Sequence, residues 1–134
     1  MAEDCLFCKI ISGEVPSYTL YEDKDVKVFL DIFPVSKGHS LIIPKKHYDQ
    51  ITDVPVEEMD FLKKLPVISE KLKEVTGATG LNVVQSNGSD AGQVVGHVHF
   101  HLIPRFPEDG VMKFPPQSEL NEQTAKDIIE RFSI

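Results

Sequence analysis

Tyr18-Thr19-Leu20-Tyr21-Glu22-Asp23-Lys24-Asp25-Val26-Lys27-Val28-Phe29-Leu30-Asp31 decides the fold. Two strand-like runs, 18–22 and 26–31, flank the polar turn Asp23-Lys24-Asp25. In the second run Val26, Val28 and Leu30 alternate with Lys27 and Asp31, the two-residue period of a strand. The pair reads as a hairpin, and hairpins build antiparallel sheets. After the breakers Pro34 and Gly38, residues 39–44 form another strand, ended by Pro44, which has no N–H for a ladder. Over 54–75, Val56, Met59, Leu62, Leu65, Ile68, Leu72 and Val75 recur at three- and four-residue steps, the pattern of an amphipathic helix. Asp53 is its expected cap and Gly77 its stop, and Pro66 predicts a kink or two helices. Residues 81–86 read as a strand, 87–92 as a polar loop and 94–103 as a last long strand. The class is α+β, an antiparallel sheet with helices on one side and one main helical region. From Pro104 onward, Pro107, Pro115 and Pro116 punctuate a tail in which only 121–132, with Ile128, Ile129 and Phe132 on one side, looks helical. The expected organisation is a unit over 1–105 and a C-terminal extension, 106–134, packed on that unit or on a partner.

Composition narrows the function. A chain of 134 residues suits one domain with a core that needs no disulfides. With 14 Lys and Arg against 21 Asp and Glu the net charge is −7, so binding to DNA or RNA gains nothing from counterion release and is not expected. Small phosphorylated ligands, which respond to local charge, stay compatible. Lys37, Lys45, Lys46 and Arg105 flank the histidine-bearing strands, and solvated surface lysines are the simpler account of Lys45 and Lys46. No apolar run reaches the roughly 18–20 residues of a membrane span, and the acidic start leads to the expectation of a cytoplasmic protein. Cys5 and Cys8, the only cysteines, lie too close together to staple a fold.

Chemistry concentrates in His97-Val98-His99-Phe100-His101-Leu102. On a strand the three imidazoles share one face, while Val98, Phe100 and Leu102 share the other. The outer two stand about 13 Å apart at Cα, too far to converge easily on one ion. The triad therefore reads as a polar strand, as a metal site using two of its histidines, or as a nucleophilic histidine with imidazole helpers. A neutral imidazole can attack phosphorus while a neighbouring ring donates to the phosphoryl oxygens. The loop Asn87-Gly88-Ser89-Asp90-Ala91-Gly92-Gln93 offers small residues and N–H groups that suit an anion. Cys5-Leu6-Phe7-Cys8 has the spacing of half a tetrahedral zinc site, with His47 and one triad histidine as candidates for the rest. Unpaired thiols and a redox pair are its alternatives.

These segments together resemble the histidine triad nucleotide-binding family, in its zinc-containing branch with an N-terminal cysteine pair. The resemblance rests on the triad, on Cys5-Leu6-Phe7-Cys8-Lys9-Ile10, on Phe29-Leu30-Asp31-Ile32 followed by Pro34, and on Gly38-His39 leading through Leu41-Ile42-Ile43 to Pro44-Lys45-Lys46-His47. It spans about residues 4 to 105. It implies a five-stranded antiparallel sheet, a homodimer whose sheets join, and hydrolysis or transfer at the α-phosphate of purine nucleoside phosphoramidates or dinucleoside polyphosphates. It implies His99 as the nucleophile that becomes nucleotidylated, His101 on the phosphate and His39 behind the triad. Asp31 is implied as the acceptor of ribose hydroxyls, and Phe7, Ile10, Ile32 and Leu41 as surroundings of the base. Structural zinc is implied on Cys5, Cys8, His47 and His97.

Two positions depart from the family. Gln93 is followed by Val94 where many members carry Ser or Thr, and Val94 keeps only a backbone N–H for phosphate. Ser86 stands where relatives often have Asn or Gln, with Asn87 beside it as a substitute. Both bear on the leaving group. A zinc hydrolase that activates water and a non-catalytic nucleotide-binding or interaction module are the rival functions.

Overall fold

In a computed structural model, which describes residues 4–134, the strands β1 (Thr19–Glu22), β2 (Val26–Leu30), β3 (Ser40–Pro44), β4 (Gly80–Gln85) and β5 (Phe100–Arg105) form one sheet. The first three residues of the expected 1–105 unit lie outside the described residues. The strand order is β1-β2-β3-β5-β4 and every pair is antiparallel, so the expected α+β fold is the fold observed. The main helical region is also present, as a 3-10 segment Val56–Leu62 followed by α2 (Leu65–Thr76). Pro66 falls in the first turn of α2, where its missing N–H leaves no bond unmade, so the periodic stretch becomes two helices. Gly77 ends α2 at φ 77°. Asp53 does not cap this region: its carboxylate accepts from the Gln50 N–H and closes a separate turn, Ile51–Asp53.

Helices cover both faces of the sheet, not one. Val26, Val28, Ile42, Val98 and Leu102 pack with Phe61 and Leu72 of the main helical region. The alternate residues Phe29, Leu41 and Ile43 pack with Phe7 and Ile10 of a short helix, α1 (Leu6–Ser12). The unbroken apolar run Leu41-Ile42-Ile43 is the mark of a strand buried on both sides. Lys27 lies on the α1 face, only 8% exposed, because its Nζ donates to the Ile10 carbonyl at the end of α1 and pairs with Glu22.

The last strand is shorter than 94–103. Its ladder with β3 stops at the pair Ile42↔Phe100, and the Val98 N–H donates to the Tyr48 carbonyl at 2.7 Å instead. Pro44, at the end of β3, has no N–H to continue the ladder. The chain that enters β5 is thereby released from the sheet and carries His97 sideways toward α1. In the tail, α3 (Glu122–Arg131) is capped by Asn121 and leaves Ile128, Ile129 and Phe132 exposed in the single chain. Among the described residues no helix is long and apolar enough to cross a membrane.

Candidate active site and metal cluster

Cys5 and Cys8 sit at the start of α1, with Cys5 as its cap: the Cys8 N–H donates to Cys5 Sγ at 3.3 Å. His47 follows β3 and His97 precedes β5. One ligand atom from each of the four lies within 4.8 Å of the others. Cys5 Sγ is 3.3 Å and Cys8 Sγ 3.6 Å from His97 Nδ1, Cys8 Sγ is 3.3 Å from His47 Nδ1, and the two Nδ1 atoms are 3.2 Å apart. A zinc tetrahedron with bonds of about 2.3 Å to sulfur and 2.0–2.1 Å to nitrogen has edges of roughly 3.3–3.8 Å, close to these separations. The tautomers agree. His97 Nε2–H donates to the Pro44 carbonyl at 2.9 Å and His47 Nε2–H to Asp49 Oδ1 at 3.0 Å, so both Nδ1 lone pairs point into the cluster. Burial pushes the Cys8 thiol up to about 11, with Cys5 beside it adding to the rise. A dication among the four removes that obstacle to thiolate formation, so the donor set fits a metal.

His99 and His101 point to the same side as His97, with ring centroids 5.0 Å apart. The His99 Nδ1–H donates to the His97 carbonyl at 2.7 Å, so its Nε2 carries the lone pair. His39 Nδ1 accepts from the Val35 N–H at 3.1 Å, which places the proton on Nε2, and that N–H donates to His101 Nδ1 at 2.9 Å. His101 consequently presents an Nε2–H donor beside the His99 lone pair. Asp31, His39 and His101 also offer three clustered ligand atoms, but His39 Nε2 is protonated in this arrangement and has no lone pair for an ion. Burial lowers the basicity of His39 and His99, and burial followed by His99 and His39 pushes His101 down to about 4. His97 is likewise pushed down to about 4, first by burial. The triad is therefore uncharged at neutral pH, as a nucleophile or a metal ligand requires.

The other residues singled out in the sequence divide. Asp31 is half-buried, its Oδ1 accepting from the Phe33 N–H at 2.8 Å and its Oδ2 3.6 Å from His39 Nε2. Phe7, Ile10 and Leu41 are buried and Ile32 is 67% exposed. Asn87 and Gln93 face inward: Asn87 Oδ1 accepts from the Ile51 N–H at 2.7 Å, and Gln93 accepts from the Gly88 N–H at 2.7 Å while donating to the Asp49 carbonyl at 2.6 Å. Val94 projects outward at 92% exposure. Lys45, Lys46 and Arg105 are held by Glu22, Glu58 and Asp109, and Lys37 lies over the Phe106 ring, so these cations serve local partners. A cavity of about 230 Å³ beside His39 and His101 is walled by Ser86, Val84, Val111 and Met112. The tail residues Val111 and Met112 carried no sequence signal for this role. The Pro44 carbonyl was equally silent, whereas Asp49, two residues after His47, was readable as its partner.

An antiparallel sheet with three alternating imidazoles at the entry to its fourth-ranked strand defines a histidine triad protein. The chain belongs to the HIT domain family, whose model matches residues 12–108. It is 51% identical over 112 residues to a HIT-like protein of Methanocaldococcus jannaschii, covering 82% of this chain and 86% of that one. It is 47% identical over 104 residues to an adenosine 5'-monophosphoramidase of Saccharomyces cerevisiae, covering 78% of this chain and 64% of the yeast protein. The crystal structure of a HIT family protein from Bacillus anthracis superposes with a TM-score of 0.88 at 36% identity, covering 97% of this chain and 95% of that chain.

Proposed function

We propose that the protein is a nucleotide hydrolase or transferase acting at the α-phosphate of purine nucleoside phosphoramidates or dinucleoside polyphosphates through a nucleotidyl-histidine on His99. The single observation that carries this reading is the 2.7 Å bond from His99 Nδ1–H to the His97 carbonyl, which leaves an unprotonated Nε2 in a neutral site. In the proposed step the Nε2 lone pair attacks the α-phosphorus, the P–N or P–O bond to the leaving group breaks, and the leaving group takes up a proton. Water then cleaves the P–N bond to His99, releasing the nucleoside monophosphate and restoring the neutral ring. His101 Nε2–H donates to a phosphoryl oxygen, with His39 fixing its tautomer. Asp31 accepts from the ribose hydroxyls, and the base lies by Ile32 over Phe7, Ile10 and Leu41. Asn87 and Gln93 shape the phosphate loop from inside, and the Val94 N–H binds phosphate. The name of the yeast relative supports a phosphoramidate substrate.

Zinc is the metal we assign to Cys5, Cys8, His47 and His97, because paired thiolates and imidazoles in a tetrahedral array suit it best. When bound it supplies a structural cross-link, since four protein ligands leave no position for water. We also propose a homodimer: β4 is an outer strand of the sheet, and the exposed face of α3 gives the extension, 106–134, a reason to pack on the domain or on the partner. The cytoplasm suits two cysteines held as thiols near histidines. Rapid quenching with labelled adenosine phosphoramidate, followed by mass spectrometry, tests the chemistry. A nucleotidylated peptide carrying His99 is expected, and a burst of product with the label on another residue overturns the assignment.

A further inference from the structure

We propose that the Cys5, Cys8, His47 and His97 cluster positions the nucleophile, by dictating which nitrogen of His99 carries the proton and by holding the ring in place. This rests on the reading of His99 as the attacking residue. His97 belongs to two structures at once. Its ring is fixed at both nitrogens, Nδ1 in the cluster and Nε2–H on the Pro44 carbonyl at 2.9 Å, and its backbone carbonyl accepts the His99 Nδ1–H at 2.7 Å. The ring is fully buried, so the carbonyl follows the ring.

A second route runs through α1. Cys5 and Cys8 bracket Phe7, whose ring stands edge-on to His99 with centroids 5.1 Å apart and planes at 83°, and to His97 at 5.9 Å. Both the acceptor that sets the His99 tautomer and the wall against its ring are therefore tied to the four ligands. A helix of seven residues does not sustain itself. Without a cation, only weak S–H donation to each Nδ1 joins the cluster, and the two Nδ1 lone pairs 3.2 Å apart have nothing between them, so the His97 ring is held less firmly. His99 is then free to carry its proton on Nε2, the nitrogen that must attack. The groups assigned to the ribose and phosphate, Asp31 and His101, follow β2 and lie within β5, so substrate affinity is less affected than the rate.

Long-range proton–nitrogen correlation spectra of protein with ¹⁵N-labelled histidine test this in the zinc-loaded wild type, in the same protein after chelation and zinc return, and in Cys5→Ser. Expected is a single Nδ1–H form of His99 in the loaded protein and a mixture in the depleted forms. With it, kcat falls about tenfold or more and KM stays within about twofold, and both spectrum and rate recover when zinc is returned to the wild type. Should Cys5→Ser fail to fold, Cys8→His, which keeps four donors, carries the test: it should hold the Nδ1–H form with zinc and lose it on chelation. An unchanged His99 tautomer after zinc removal overturns the proposal, and so does a changed tautomer with an unchanged kcat. The covalent reading is judged separately, by whether the loaded wild type traps nucleotide on His99.

Discussion

His99 and Val94 lie five residues apart and divide the proposed reaction between bond formation and leaving-group departure. Replacing the attacking ring by His99→Ala should abolish hydrolysis of adenosine phosphoramidate while nucleotide binding, measured by calorimetry, persists. A residual rate within about tenfold of wild type, or roughly 1.4 kcal/mol of barrier, is too fast for a lost nucleophile. Val94 has no hydroxyl to pass a proton to a departing amine, whereas a polyphosphate leaves without one. Val94→Ser should therefore speed a phosphoramidate with a basic amine by up to about 10²–10⁴-fold and a dinucleoside polyphosphate much less. Because Val94 is 92% exposed, the change leaves the core alone, and equal effects on both substrates would place the proton source elsewhere. His101 supplies a pH signature. Its folded-state pKa of about 4 lies below the ordinary 6.5, so between those values the unfolded chain binds more protons. Its stabilising contribution is complete above about pH 6.5 and is lost as pH falls toward 4. Thermal unfolding of wild type and His101→Gln from pH 7 to 4 should show a shallower acid decline in the variant, and parallel curves would contradict the shift.

Among the elements, β3 and the loop before it hold the site to the helical layer. Gly38 has φ 86°, and a Cβ there would come within 2.5 Å of Thr76 Cγ2 and 3.3 Å of Pro104 Cγ. Gly38→Ala combines an unfavourable left-handed backbone with a clash against the end of α2. A loss of about 2–4 kcal/mol in urea unfolding is expected, and a loss below about 1 kcal/mol would mean that the loop yields. Because His39 is the next residue and donates to His101, kcat should fall along with stability. The early end of the β3–β5 ladder belongs to the same scale. Where regular pairing stops at Phe100, His97 gains the freedom to leave the sheet for the cysteines, so a strand end creates the cluster of Cys5, Cys8, His47 and His97.

At the scale of the molecule, the cluster joins three distant parts of the chain: the start of α1, the exit of β3 and the entry to β5, all against one face of the sheet. A metal held there stabilises the folded state by mass action, because the unfolded chain does not preserve the site. One zinc per chain is expected from elemental analysis, and chelation should lower the midpoint of thermal unfolding by several degrees. Full occupancy in Cys5→Ser, or no shift on chelation, would reject the assignment.

What the sequence determined by itself was local. Strand alternation placed His97, His99 and His101 on one side and Val98 and Leu102 in the core, and the structure keeps that division although the ladder begins only at Phe100. The hairpin of β1 and β2, the helix broken near Pro66 and the stop at Gly77 were legible for the same reason, since turns and periods depend on neighbours. Tertiary structure alone decided the rest. The place of α1 on the second face, the inward turn of Asn87 and Gln93, and the tail wall of Val111 and Met112 depend on segments far apart in sequence. So does the protonation pattern. Cys5 meets His97 across 92 residues and Pro44 meets it across 53, and the tautomer of each ring follows from which atom it faces. Residue type names an imidazole as a possible nucleophile or ligand, and only the partner of its other nitrogen decides which one it becomes.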